Sequence, residues 1–170
     1  MDVSNVNPFL QACTLVLPQL GFSSVKKVNL TVSSKVNAQG VAVSVGIIGD
    51  IKGTVVYNFS EDNAKKIASK MMMGMEVAVF DDMAQSAISE LTNMLTANAS
   101  IEFSKIGKNI NISTPTLVTG KELGIKVSSN KVLVVEMEAD GVAFIVNIGI
   151  DGDAWILGIF FRKRKKRRIF

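Results

Sequence analysis

No histidine occurs anywhere in the 170 residues. That absence excludes serine–histidine nucleophile systems, imidazole metal centres and imidazole-based pH switches together. Cysteine occurs once, as Cys13, which excludes an internal disulfide and a clustered thiolate zinc site. Aromatic residues make up 6% of the chain and only 3 residues are proline, so core packing falls to Val, Ile, Leu, Met and Ala. Long apolar runs are missing too. The longest uninterrupted candidate, residues 154–161, has eight residues, against the ~18 that a membrane span needs. The apolar stretch 8–21 is broken by Gln11 and Gln19 and no basic residue precedes it, a poor match to a secretory signal. The expectation from these features is a cytoplasmic protein.

What is present suits one domain. At 48% hydrophobic residues, a chain of this length hides roughly 70% of its unfolded surface on folding. Charge is unevenly spread. Seven of the 19 basic residues form the run 162–168, leaving 12 against 15 acidic residues, so residues 1–161 carry about −3. The body is mildly acidic with a basic appendage, and nucleic acid is not an expected partner of the folded part. Residues 1–157 read as the domain and 158–170 as a basic, disordered tail.

Asn7 before Pro8 reads as an N-cap followed by a proline at the first helical position, and apolar residues then carry a helix to about Gly21. Strand-like segments follow at 25–32, 41–48 and 51–59, the last two separated by the Gly49-Asp50 turn signal. Ser60, followed by Glu61 and Asp62, opens a capped helix ending near Gly74. A longer helix spans 81–104. Strands return at 109–112, 123–127, 131–137 and 142–150, with turns at 128–130 and at Asp140-Gly141. Strands joined by tight turns pair antiparallel, so the expected fold is α+β, a mostly antiparallel sheet with two central helices packed on it.

The long helix carries the polar signal. At ~100° per residue, Ala84, Ala87, Ile88, Leu91, Met94 and Leu95 gather on one side as the core stripe. Ser86, Glu90, Asn93 and Ala97 fall on another side within an arc of roughly 60°, along one ridge. On spacing alone, a Glu and an Asn placed this way are what any solvated helix face shows. Their chemistry adds something: an Asn amide holds a water by donating and accepting, and a Glu pairs with a lysine. Such a pair cannot act alone as a nucleophile–base system, but it has the chemistry to complete a site whose metal and electrophile belong to another protein.

The pattern Ser86-x-x-x-Glu90-x-x-Asn93-x-x-x-Ala97 resembles the signature of the CheC/CheX/FliY chemotaxis phosphatases, [D/S]-x-x-x-E-x-x-N-x-x-x-G. The stretch Gly46-x-x-Gly49-Asp50-Ile51-Lys52-Gly53-Thr54-Val55, the Asn63-Ala64 helix and the N-terminal Asn7-Pro8-Phe9 helix are similar to CheX-like domains. Together the resemblance covers about residues 5–155. It implies a protein phosphatase acting on the aspartyl phosphate of a CheY-type response regulator. Glu90 would pair with the regulator's active-site lysine and Asn93 would orient the attacking water. Ser86 and Ala97 would contact the partner. The chain would need no cofactor or metal of its own, the Mg²⁺ being supplied by the regulator. One copy of the pattern favours the CheX-like branch, whose members pair as homodimers through sheet edges. Ala97 stands where the signature has Gly. It motivates the alternative of a non-catalytic scaffold that binds a receiver or a flagellar-switch component.

Other features carry less. Gly120-Lys121 lacks the upstream glycine of a phosphate loop. Asp151-Gly152-Asp153 lacks the further ligands of a calcium loop and reads as a turn. The Met71-Met72-Met73-Gly74-Met75 run is expected to pack at a helix end, and Cys13 to be a buried thiol. The tail 162–168 offers a third reading, a polyanion-binding module with steep salt dependence.

Overall fold

The computed structural model describes residues 3–151. The boundary expected at 157/158 and the basic tail therefore lie outside the described residues, as do Gly152 and Asp153. After a short 3₁₀ turn, Val3–Val6, the chain forms α1 (Asn7–Gln19), β1 (Val25–Ser33), β2 (Val36–Gly49), β3 (Gly53–Phe59), α2 (Glu61–Met71) and α3 (Asp82–Lys105). Then come β4 (Ile110–Ile112), β5 (Thr116–Ile125), β6 (Val132–Ala139) and β7 (Val142–Ile150). None of the described helices is long and apolar enough to cross a membrane.

All seven strands join one sheet, and every pairing is antiparallel. The order runs β1, β6, β7, β3, β2, and both β4 and β5 pair with β2. Val41 to Ser44 pair with β3 and with β5, while Ile47 pairs with β3 and with β4. β4 and β5 therefore lie end to end along the outer side of β2, interrupted at residues 113–115. The two strand blocks are halves of one sheet, and the α+β expectation holds. Three helices cover it, because α1 also packs along α3.

Strand alternation divides the sheet into two faces. Val41, Val43, Val45 and Ile47 of β2 point to the helices, as do Val55, Tyr57 and Phe59 of β3, and they meet Ile67, Ile88, Leu91, Leu95 and Phe103 in the main core. Phe9 of α1 meets Phe103 of α3 edge to face, with ring centroids 5.7 Å apart. The opposite face carries a smaller cluster of Val36, Ala38, Ala42, Val56 and Val132.

Two strands exceed their expected lengths, and both lie where polar or small residues hide the alternation. β2 starts at Val36 because the chain passes through a bulge between Ala38 and Gly40. Gly40 has φ +81°, and a Cβ there would sit 2.6 Å from the Phe59 carbonyl oxygen, so the bulge needs glycine. β5 starts at Thr116 rather than near 123. It is an edge strand with most of its residues exposed, which removes the apolar signal. The methionine run also divides: Met71 and Met72 pack against the core, but Met73 and Met75 are exposed. Met73 ends α2 at φ +59°, which turns its side chain out of the packed layer.

The starts of α2 and α3 follow the sequence, but that of α1 does not: Asn7 is already helical behind the 3₁₀ turn, and its cap is Val6, which makes no side-chain capping hydrogen bond. Ser60 Oγ accepts from Asn63 N at 3.2 Å, and an Asp81 carboxylate oxygen accepts from Ala84 N at 2.9 Å, each satisfying an otherwise orphaned first-turn amide. At the far end of α2, Lys70 Nζ lies 3.0 Å from an Asp140 carboxylate oxygen, donates to the Gly21 carbonyl and sits over the Phe22 ring. Asp140, at φ +49° in the β6–β7 turn, also accepts from the amides of Ser23 and Ser24. One carboxylate thus ties three connections together. Its hydrogen bonds with Lys70 first, and then with the two serine amides, hold its carboxyl below the usual range.

Two outcomes test this packing. Leu95 is 1% exposed, so Leu95→Ala should lower unfolding free energy by about 2–5 kcal/mol in urea titration. For Asp140, a depressed folded pKa adds stability that is present above the ordinary value of 3.8 and is lost as pH falls through the folded pKa. Asparagine tolerates the same backbone. The melting temperature of Asp140→Asn should fall below that of the parent at pH 7, and the gap should close in acid.

Candidate functional site

The 24 residues of α3 make a rod of ~36 Å. Its inward side is fixed by Ala84, Ile88, Leu91, Leu95, Ala99 and Phe103, all buried. Thr92 and Thr96 are buried as well, and they give the helix a polar anchor on the sheet. Thr96 donates its single hydroxyl proton to the Thr92 carbonyl at 2.7 Å. Its oxygen lies 3.0 Å from the Tyr57 hydroxyl, so Tyr57 is the donor of that bond. Burial pushes the Tyr57 phenol well above its usual range, which keeps it a neutral donor. This bond, with the apolar stripe, sets the rotation of α3 about its own axis.

That rotation displays the ridge. Ser86 and Glu90 are exposed, and Asn93 and Ala97 are half-buried. All four expected site residues share one face of one helix. The side chains of Glu90 and Asn93 make no hydrogen bond or ion pair among the described residues. The contrast with neighbouring amides is informative. Asn98 donates back to the Met94 carbonyl at 2.9 Å and Gln85 donates to the Phe80 carbonyl at 3.2 Å. Asn93 is the amide of this helix that keeps both donor and acceptor available.

Beside the ridge runs an open groove of about 560 Å³, lined on one wall by Asp82, Gln85, Ser86, Ser89, Glu90 and Asn93. Its other wall is Thr114, Pro115 and Leu117, from the interruption between β4 and the start of β5. Sequence reasoning missed this wall. Nothing in Ser113-Thr114-Pro115 distinguishes a groove wall from a plain break, since its meaning comes from α3 lying alongside. The charged groups of the groove, Asp82 and Glu90, are both acidic, which suits a lysine-bearing partner. Among the described residues no carboxylate of the groove is hydrogen-bonded to the Ser86 or Ser89 hydroxyl, the arrangement an activated serine nucleophile would need. Among the described residues no cluster of three His, Cys, Asp or Glu side chains is arranged to hold a metal ion. Cys13 is buried in α1, with its thiol pushed up to about 12 by that burial, and stands apart from the site.

The chain is similar to known proteins in the same direction. A family model described as chemotaxis phosphatase CheX matches residues 41–138, a stretch that runs from within β2 almost to the end of β6 and contains the whole ridge. The CheY-P phosphatase CheX of Thermotoga maritima is 43% identical over 82 residues, 48% of this chain and 53% of that protein. The chain thus spans about half the length of this curated relative. A crystal structure of the chemotaxis protein CheX from Desulfovibrio desulfuricans superposes with a TM-score of 0.78 at 22% identity, over 88% of this chain and 100% of that one. The CheX chain in a complex with CheY, BeF₃ and Mg²⁺ from Borrelia burgdorferi gives 0.67 at 24% identity, over 88% and 99%. With the family model covering more than half of its length and its fold reproduced in these structures, the chain belongs to the CheX family of chemotaxis phosphatases.

Proposed function

We propose that this protein dephosphorylates the aspartyl phosphate of a CheY-type receiver domain in the cytoplasm. The observation that carries the reading is the pair Glu90 and Asn93, unpartnered and one turn apart on the displayed face of a rigidly seated helix. In this reading α3 lies against the phosphorylated pocket of the receiver. Glu90 accepts a charge-assisted hydrogen bond from the receiver's lysine, which fixes register. The Asn93 amide holds one water in line with the phosphorus. The water oxygen forms a bond to phosphorus as the bond from phosphorus to the aspartyl oxygen breaks. The electron pair of that bond returns to the aspartate as carboxylate, and the water's protons leave with inorganic phosphate and solvent. Mg²⁺ enters with the receiver as part of the substrate and neutralises charge on the phosphoryl oxygens. What the chain contributes is positioning, which is where most of the barrier reduction in such reactions arises.

Ser86 and Ala97 flank the pair as small contact residues that let the receiver approach. Ala97 supports a second reading, in which the chain binds a receiver or flagellar-switch component without turnover, because its methyl group stands where the family signature has no side chain. Pairing of two copies is assigned to the free edge of β1. Its outer side has no neighbouring strand among the described residues, and Val28 and Val32 are exposed there. That edge is remote in strand order from the groove beside β4 and β5, so pairing would leave the groove open.

The test is the decay of a phosphorylated CheY-type receiver in Mg²⁺ buffer, with and without the protein. The decay should accelerate with the parent chain, and Asn93→Ala should lose on the order of 10²-fold of that acceleration with its melting temperature unchanged. Full activity in Asn93→Ala would refute the assigned role, and binding with no acceleration by the parent chain would favour the scaffold.

A further inference from the structure

The second wall of the groove has a build of its own. Residues 113–115 break the outer edge between β4 and β5, yet the break is pinned. Ser113 N donates to the Gly46 carbonyl at 2.9 Å, and Gly46 N donates to Ser113 Oγ at 2.8 Å. The Ser113 hydroxyl donates onward to the Thr114 carbonyl at 3.0 Å. A Cβ on Gly46 would meet Ser113 Oγ at 3.3 Å, so a bare glycine on β2 is what lets the edge approach this closely. Pro115 then fixes its own φ, and Leu117 is anchored against the main core. The wall is held at both ends, by Gly46 on one side and by the core on the other.

A wall this constrained, opposite the two side chains that the reaction needs, bounds whatever reaches them. Its apolar Pro115 and Leu117 face the acidic Asp82 and Glu90 across the groove. The complementary occupant is a protein segment that presents a basic group to one wall and an apolar surface to the other. Building on the receiver-phosphatase reading, we propose that the wall formed by Thr114, Pro115 and Leu117 is a docking contact that sets affinity for the receiver, clasping the receiver segment next to its phosphorylated aspartate against α3. Ser113 and Gly46 are positioning residues for that wall. Affinity and rate are then divided between the two sides of the groove, the wall supplying contact and Asn93 supplying the oriented water.

The test uses the full chain and a CheY-type receiver loaded with beryllofluoride and Mg²⁺. Thr114 is exposed, so Thr114→Trp fills the groove without disturbing the core. Its Kd for the receiver should rise by about tenfold or more, with circular dichroism and melting temperature unchanged. Ser113→Ala removes the bond from Gly46 N and leaves only the backbone bond to the Gly46 carbonyl; it should raise KM for phosphorylated receiver severalfold with a smaller change in kcat, a split that general loss of stability does not produce. A folded Thr114→Trp protein that binds the receiver within about twofold of the parent overturns the proposal. If the parent chain binds the receiver but does not speed its dephosphorylation, the phosphatase reading fails while the Thr114→Trp affinity still decides the wall. If the parent chain does not bind the receiver at all, both fail.

Discussion

Everything at the site depends on the seating of α3 against the sheet. A long helix that is buried on one side has a single rotation at which its apolar stripe is covered, and that rotation decides which residues are displayed. Ile88, Leu91, Leu95 and Phe103 supply the burial. The Tyr57–Thr96 bond, 3.0 Å long beneath them, supplies direction that apolar contacts lack, because an unpaired buried hydroxyl costs about 1–3 kcal/mol. A helix turned by one residue would swing the ridge by ~100°, burying Glu90 and Asn93 or aiming them along the sheet. Asymmetric burial thus fixes the display: the energy of core packing is what holds Glu90 and Asn93 in place on the outside.

The remaining elements frame that helix. α1 braces α3 through the Phe9–Phe103 contact, and the Asp140–Lys70 tie joins the α1–β1 connection, the end of α2 and the β6–β7 turn. The outer edge of the sheet adds the wall at residues 114–117. The site is therefore composite, with one wall from a helix face and another from a broken edge strand about twenty residues later in the chain.

The helix half of the candidate site was legible because its residues lie on one helix and match a family signature; spacing alone reads as a solvated helix face. Ser86, Glu90, Asn93 and Ala97 recur with the helical period, and the period alone puts them on one face. The capping residues Ser60 and Asp81 act within one turn of themselves, so α2 and α3 were placed closely. The wall was not legible. Thr114, Pro115 and Leu117 acquire meaning only from tertiary pairing with β2, and the partner that makes it possible, Gly46, lies about seventy residues earlier. The start of β2 was lost to a bulge at Gly40, whose φ of +81° imitates a turn in sequence. The start of β5 was lost because an exposed edge strand has no buried face to impose alternation. Met73 and Met75 read as core by type, and they are exposed because the C-terminal turn of α2 swings them outward.

The central claim is that one displayed helix face holds two separable duties, contact through Glu90 and water positioning through Asn93. It is tested most directly by the affinity of the Asn93→Ala protein for a receiver loaded with beryllofluoride and Mg²⁺, measured beside Glu90→Ala. The account predicts that Asn93→Ala binds within about threefold of the parent while Glu90→Ala binds at least about tenfold more weakly. Loss of binding in Asn93→Ala comparable to that in Glu90→Ala would contradict it, because Asn93 would then be part of the contact rather than the holder of the attacking water.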